Sequence, residues 1–159
     1  MEEIPILVVI VGKGQVKMEQ EKIKAVKEWK TPIRVKDVES FLRFANFYQQ
    51  FIHNFSYTAR LLNTLKGKKE WKWEEEHQKA FEELKEKITS QPVIFLPKRE
   101  GKFRVETDIL GHTIGGVLSQ EQDGKWKPIA YLSRMMQPAE QNYEIYDKKL
   151  LAIVEALVK

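Results

Sequence analysis

The fold of this chain is decided by the stretch FRVETDILGHTIGGVLSQEQDGKWKPIAYLSR, which runs from Phe103 to Arg134. Apolar and polar residues alternate along its first part, with the period of two that a half-buried strand requires. Gly111 allows the chain to turn, and Asp123-Gly124 is a strong hairpin signal. The pattern predicts three strands, the third from Trp126 to Ser133, and a helix over the following YEIYDKKLLAIVEAL.

One carboxylate, Asp108, lies where the first of these strands is predicted to end. An aspartate at the end of a strand is either a turn former or a functional group. The local pattern does not separate the two, so the rest of the chain has to decide between them.

The composition is typical of a soluble globular protein, with 42% hydrophobic and 31% charged residues among 159. This length suits one domain of ordinary size or two small ones. The chain has no cysteine, which excludes disulfides and thiolate metal sites. It also lacks a Gly-rich phosphate loop and the common zinc-protease and serine-hydrolase motifs.

The charge is distributed unevenly along the chain. Residues 1–72 contain 14 Lys+Arg against 8 Asp+Glu, a net charge of +6, and the remainder has a net charge of −2, which gives +4 in total. A basic first half suits a polyanionic partner, although charge alone slightly favours an ordinary solvated lysine-rich surface. The candidate phosphate-binding residues are Lys22, Lys24, Lys27, Lys30, Lys66, Lys68 and Lys69.

The apolar run from Ile4 to Val11 is too short to span a bilayer, and the acidic Glu2-Glu3 before it does not fit a secretory signal. No membrane association is therefore expected. The run predicts one buried strand, then a turn at residues 12–14 and a return strand to Lys17. An apolar strand of this kind needs a larger sheet, and the return strand is its only obvious partner nearby.

Apolar residues recur every three or four positions through the middle of the chain, which predicts helices. They are expected over Glu19 to Trp29, Val38 to Ile52, Glu74 to Thr89 and, as a short piece, Arg60 to Leu65. Pro97 marks a linker before the strands. We interpret His77 as a packed residue, and Trp71 and Trp73 as core anchors rather than base-stacking residues.

Four segments of the chain resemble, in the same order, the polyproteins of Ty3/gypsy-type LTR retrotransposons. They are VESFLRFANFYQQFIHNFSYTARLLNTL, WKWEEEHQKAFEELKEKITSQPVIFLP, FRVETDILGHTIGGVLSQ and KPIAYLSRMMQPAEQNYEIYDKKLLAIVEAL. The resemblance runs from the end of the reverse transcriptase into ribonuclease H and implies an α+β fold in three parts. These parts are an N-terminal β-hairpin of the palm edge and primer grip (1–18), a helical thumb-like and connection region (19–97), and a partial ribonuclease H-like fold of three antiparallel strands and the first helix (98–159).

A ribonuclease H of this family cleaves the RNA of RNA–DNA hybrids with carboxylates that hold two Mg²⁺ ions. The resemblance places the first carboxylate at Asp108, within TDILG where the family has T-D-A-S-G. Within YDKKLL, where the family has Y-D-K-E-L-L, Lys149 occupies the position of the second carboxylate. The third would come from a later strand, and the chain ends at Lys159. Asp108 is therefore expected to be a vestigial catalytic residue and metal ligand.

Lys149 shares one predicted helix face with Ile145, Ile153 and Ala156, which are all apolar. A buried ammonium group needs a partner, because leaving it unpaired costs several kcal/mol. The family fold turns this face toward the first strand, so Asp108 is the expected partner. Lys149 would then neutralise the remaining ligand, and Mg²⁺ would not bind productively.

Two further departures from the family lie in the helical region. Arg43 stands where the family has a packed glycine, so this side chain must reach solvent or displace a neighbouring helix. Gln49 and Gln50 stand where the family has basic residues. If those basic residues contact phosphate, nucleic-acid binding should be weaker in this chain.

The favoured interpretation is a fragment of a retrotransposon reverse transcriptase and ribonuclease H that is inactive alone. The parent activities that it implies are RNA-directed DNA synthesis and hybrid cleavage. The alternatives are an enzyme subunit that needs further chain, and a non-catalytic nucleic-acid-binding or interaction module. The expected partners are RNA–DNA hybrid or other nucleic acid, and a second copy that associates through an open sheet edge. An intracellular location, cytoplasmic or nuclear, is expected.

Overall fold

The computed structural model describes residues 4–6, 9–67, 70–90 and 94–159. These residues form strands and helices in the order β1 (Ile4–Ile6), β2 (Val9–Gly12), β3 (Gln15–Met18), α1 (Gln20–Lys27), α2 (Val35–Phe47), a 3-10 turn (Gln49–Phe51), α3 (Phe55–Asn63), α4 (Glu75–Thr89), β4 (Ile94–Phe95), β5 (Phe103–Leu110), β6 (Thr113–Gln122), β7 (Lys125–Met135), α5 (Pro138–Gln141) and α6 (Ile145–Val158). None of the helices in the described ranges has the length and apolar character needed to cross a membrane.

The first sheet is antiparallel, with the strand order β1-β2-β3-β4. The prediction of a single strand from Ile4 to Val11 is wrong, because these two residues pair with each other as the outer ends of β1 and β2. An apolar run without alternation does not indicate where a chain reverses. The return strand β3 is confirmed. Its second partner is β4, in which Ile94 pairs with Val16. No local pattern in the sequence indicates this pairing.

The main hydrophobic core lies among α1 to α4 and strand β3. The predicted stripe of α2 and the turn after it is confirmed, since its members are all buried: Val38, Phe41, Leu42, Ala45, Tyr48 and Ile52. The rings of Trp29 and Phe81 both pack against Phe41, at centroid distances of 5.4 and 4.7 Å. Arg43 is exposed, so this side chain reaches solvent and α2 keeps its packing.

The second sheet is also antiparallel and confirms the three predicted strands, in the order β5-β6-β7. The hairpin between β6 and β7 has positive φ at both Asp123 (54°) and Gly124 (72°), as a tight two-residue turn requires. The end of β5 differs from the prediction. The strand continues to Leu110 and the chain turns at Gly111, where φ is 60°. Asp108 is therefore inside the strand, because Ile109 and Leu110 extend the pairing.

A small second core joins the sheet to α6. Its buried members are Ile114, Met136 and Ala152, and Leu132 and Leu151 pack beside them. Many large apolar side chains around this core remain exposed. They include Phe103, Tyr143, Ile145, Tyr146, Leu150, Ile153, Val154, Leu157 and Val158. The domain boundaries near residues 18 and 97 stay predictions.

Candidate functional site

Asp108 lies on the face of β5 that is turned away from α6. Side chains alternate along a strand, and its neighbour Ile109 packs into the core that contains Ala152 of α6. Asp108 pairs with Gly115, and a Cβ on Gly115 would point at the side chain of Asn54, from the helical region. Paired residues of antiparallel strands share a face. The carboxylate of Asp108 is exposed and accepts a hydrogen bond from the N–H of Ile109 at 2.8 Å.

Lys149 is exposed, which contradicts the prediction that its face packs on the first strand. Helix α6 does contact β5, but through the side that carries Leu151 and Ala152. The helix is apolar on nearly every side, so its periodicity did not identify the packed stripe. Within the described ranges, the expected ion pair between Lys149 and Asp108 does not form.

The donor set around Asp108 does not fit a two-metal centre. Within the part of the chain that the structure describes, no group of three or more His, Asp or Glu side chains could hold a metal ion. Glu106, two positions earlier on the same strand, is paired with Arg104 at 3.0 Å. Asp108 as a metal ligand therefore stays a prediction.

The candidate phosphate-binding lysines are mostly free side chains. Lys24, Lys27 and Lys30 are exposed and Lys22 is half-buried, on or just after helix α1. The buried side of this helix carries Ile23 instead. None of the ion pairs between described residues involves these four lysines. Lys66 is exposed as well, and Lys68 and Lys69 lie outside the described residues.

The aromatic residues before α4 are structural, as predicted. Trp71 and Trp73 stack on each other at 5.7 Å and pack against the main core. The indole N–H of Trp73 donates to the side-chain oxygen of Gln78 at 2.9 Å. His77 is buried, and its Nδ1 accepts a hydrogen bond from the N–H of Glu74 at 3.1 Å. This bond is part of the capping box at the N-terminus of α4.

Two buried glutamines on β6, Gln120 and Gln122, hold the segment that links the two sheets. No pattern in the sequence singles them out. We call residues 96–101 the linker strap. Gln120 accepts from the N–H of Lys98 at 2.8 Å and donates to the carbonyls of Lys98 and Glu100 at 2.9 and 3.1 Å. Gln122 donates to the carbonyl of Leu96 and to Gln120, both at 2.9 Å. The strap is thereby tied to the sheet along its length.

Arg134 on β7 forms the ion-pair centre on the α6 side of the sheet. Its guanidinium binds both oxygens of Glu140, at 2.8 and 3.2 Å, and Glu155 of α6 at 3.0 Å. The hydrogen bond from Arg134 holds the pKa of Glu140 below its ordinary value, and the two carboxylates raise the pKa of Arg134. This arrangement joins β7, α5 and α6.

A cleft of about 400 Å³ lies between the helical region and the second sheet. Its wall from the helical region carries Asn46, Phe47 and Gln50, and Tyr131 lines it from the sheet. No aspartate or glutamate lines the cleft among the described residues, and Lys159 lines it as well. Its chemistry therefore suits apolar and amide contacts rather than a metal ion.

Comparison with known proteins agrees with this architecture. A family model described as an RNase H-like domain found in reverse transcriptase matches residues 73–159. The Tf2-3 and Tf2-4 transposon polyproteins of Schizosaccharomyces pombe are each 37% identical over 140 residues, which is 87% of this chain and 10% of each polyprotein. The chain therefore spans about a tenth of the length of these relatives.

Two solved structures share the fold. The foamy viral protease-reverse transcriptase in complex with dsDNA has a TM-score of 0.86 and 23% identity, over 100% of this chain and 34% of that chain. Its complex with an RNA/DNA hybrid has a TM-score of 0.82 and 24% identity, over 98% and 21%. The resemblance to retrotransposon polyproteins is confirmed, and the chain belongs to the family of ribonuclease H-like domains found in reverse transcriptases.

Proposed function

We propose that this chain is the part of a retrotransposon reverse transcriptase that holds an RNA–DNA hybrid, with a ribonuclease H-like fold that does not cleave RNA on its own. The parent polyprotein would supply RNA-directed DNA synthesis and hybrid cleavage, for which the family uses divalent metal ions. The isolation of Asp108 carries the proposal. This residue occupies the family's first metal-ligand position, but among the described residues no group of three potential ligands forms.

Nucleic-acid binding is supported by two observations. The foamy viral neighbours are complexes with dsDNA and with an RNA/DNA hybrid. In this chain, the lysines on and after α1 are without ion-pair partners in the described structure and are free to contact phosphate. A lysine that contacts a phosphate releases a counterion, so binding through these residues must weaken as salt rises.

The binding experiment is fluorescence anisotropy with a labelled RNA–DNA hybrid at several salt concentrations. Four phosphate contacts predict a slope of about −3 to −4 in log K against log salt. Replacement of Lys22, Lys24, Lys27 and Lys30 by Gln should flatten this slope and lower the affinity. The control makes the same charge change at Lys102, Lys125, Lys148 and Lys159, and it should have a smaller effect. Equal losses in both variants would mean that the net charge, rather than α1, determines binding.

The cleavage experiment uses a hybrid with labelled RNA, in Mg²⁺ and in EDTA. No cleavage is expected from the chain or from Lys149→Glu, because position 149 is exposed and Asp108 lies on the other side of the sheet. Mg²⁺-dependent cleavage that disappears in Asp108→Asn would refute the non-catalytic part of the proposal. It would leave the binding part intact.

Self-association is the second part of the proposal. The exposed fractions of Tyr146, Leu150 and Leu157 on α6 are 78%, 60% and 70%. Together with Ile153 they recur at spacings of four, three and four residues, which is the seam of a coiled coil. Among the described strands, β5 pairs only with β6, so its other edge is unpaired. This edge is a second surface open to association. A second copy of the chain could cover both surfaces.

A further inference from the structure

Helix α3 lacks a cap from its own residues. Asn54, at the N-cap position, has a left-handed φ of 54°, and its side chain makes no hydrogen bond to the first turn. The first N–H groups of a helix have no partner within the helix. One of them, the N–H of Ser56, donates to the hydroxyl oxygen of Ser133 at 2.7 Å. The cap therefore comes from strand β7, on the other side of the junction.

Ser133 also holds the turn that precedes α3. Its carbonyl oxygen accepts a hydrogen bond from the side-chain amide of Gln49 at 2.5 Å, and the same amide lies 3.4 Å from the hydroxyl of Ser56. Ser133 is buried, with 4% of its surface exposed. One buried residue of the sheet thus satisfies two polar groups of the helical region.

The close approach of the two regions depends on Gly115, which pairs with Ser133 on the neighbouring strand. A Cβ on Gly115 would lie 2.5 Å from the side-chain oxygen of Asn54, far inside the contact distance. A Cβ on the adjacent Gly116 would come no closer than 3.4 Å to any neighbour, and it would point to the other face. A Cβ at position 115 would therefore displace the side chain of Asn54, whereas a Cβ at position 116 would leave it in place.

The next residue, Arg134, forms its ion pairs on the opposite face of the sheet. Successive side chains of a strand point to opposite sides, and Arg134 binds Glu140 and Glu155 on the α6 side. The dipeptide Ser133-Arg134 therefore joins α3 on one face to α6 on the other.

We infer that Ser133 is a positioning residue that fixes the helical region to the ribonuclease H-like sheet by capping α3 across the junction. The orientation of α6 relative to α2 and α3 then follows from two adjacent residues of β7. A ligand that contacts both regions meets them at a fixed angle.

The test is amide hydrogen exchange, measured by NMR on the full chain. In Ser133→Ala, exchange at Ser56 should accelerate about fivefold, the loss that a cap of typical strength implies. Amides in the core of α4, such as those of Phe81 and Leu84, should not change. Ser133→Thr keeps the hydroxyl and should restore protection at Ser56. The control is Ser119→Ala, since Ser119 is a buried serine of β6.

A second pair of variants approaches the junction from the other strand. Gly115→Ala should expose the same Ser56 amide, whereas Gly116→Ala should not. Unchanged exchange at Ser56 in both Ser133→Ala and Gly115→Ala would overturn the inference. Equal acceleration at every amide would also overturn it, because that result assigns to Ser133 only a share of the global stability.

Discussion

Replacement of Gln120 should detach the linker strap from the sheet. Gln120 has no exposed surface and makes three hydrogen bonds to the backbone of Lys98 and Glu100. In Gln120→Met the volume is nearly kept, but these three bonds and the one that Gln122 donates to Gln120 are all lost. The variant therefore separates the hydrogen bonds from the packing.

The magnitude follows from the number of bonds. A hydrogen bond within a protein contributes about 1 kcal/mol net. The three bonds to the strap are therefore worth about 3 kcal/mol, and with the bond from Gln122 the Gln120→Met variant should lose about 4 kcal/mol. Gln122→Met removes one bond to Leu96 and one to Gln120, and it should cost about 2 kcal/mol on the same basis. Gln120→Glu keeps an acceptor for the N–H of Lys98 but has no donor for the two carbonyls when ionised. Its destabilisation should be largest at pH 7 and should shrink as the pH falls, because protonation returns one donor.

The assay is urea unfolding followed by tryptophan fluorescence and circular dichroism. Gln50→Met is the control, since Gln50 is exposed and a surface change of this kind stays within about 0.5 kcal/mol. If Gln120→Met loses no more stability than Gln50→Met, the strap is not held by these bonds. A loss of about 3 kcal/mol in Gln120→Met with no change in Gln122→Met would mean that Gln120 acts alone.

Further tests address the buried hydroxyl of Tyr48, the ion pair between Arg134 and Glu140, and the exposed apolar side of α6. Burial, followed by the charge of Glu19, raises the pKa of Tyr48 to about 12, and its hydroxyl has no hydrogen-bond partner among the described residues. Tyr48→Phe should therefore leave stability at pH 7 unchanged or higher, and it should remove a loss that the parent shows in urea unfolding as the pH rises from about 10 to about 12. The pKa of Glu140 is lowered by Arg134, so its contribution is present above the unfolded value and is lost as the pH falls through the lowered one. Arg134→Met should accordingly lose less stability than the parent between about pH 5 and pH 3, and Arg104→Met, with the exposed partner Glu106, serves as the control. Leu150→Lys with Leu157→Lys should shift any dimer toward monomer in sedimentation equilibrium, and an unchanged dimer would exclude α6 as the interface.

Helix α2 and the hairpin between β6 and β7 were predictable because their signals are local. The stripe that contains Phe41, Leu42 and Ala45 repeats at helical spacing, and burial of these side chains requires no knowledge of the partner. The hairpin at Asp123-Gly124 was equally visible, since positive φ at both positions is a property of those two residues. Each of these predictions rests on a preference that tertiary contacts reinforce.

The side-chain hydrogen bonds that connect the helical region, the linker strap and the second sheet could not be predicted, because the bonded residues are far apart in the chain. Gln49 and Ser133 are separated by 84 residues, and Lys98 and Gln120 by 22. The neighbouring sequence of a glutamine or serine in an apolar strand does not reveal whether its hydrogen-bond partner is water, a helix N-terminus or the linker strap. The family resemblance even suggested that Gln49 marks a lost phosphate contact, whereas in the structure its amide holds the sheet.

Whether Asp108 and Lys149 can meet depends on the directions in which their side chains point, rather than on their residue types. The hypothesis that Lys149 neutralises Asp108 required both side chains to face the same space, but Ile109 rather than Asp108 packs on the α6 side of β5. A carboxylate at position 149 would be exposed, because α6 contacts the sheet through Leu151 and Ala152 instead. To bring it to Asp108, the helix would have to rotate or the strand would have to shift by one residue, and a one-residue shift would turn Ile109 out of the core. Packing of Ile109 and Ala152, more than the charge of Lys149, therefore keeps Asp108 apart from the helix.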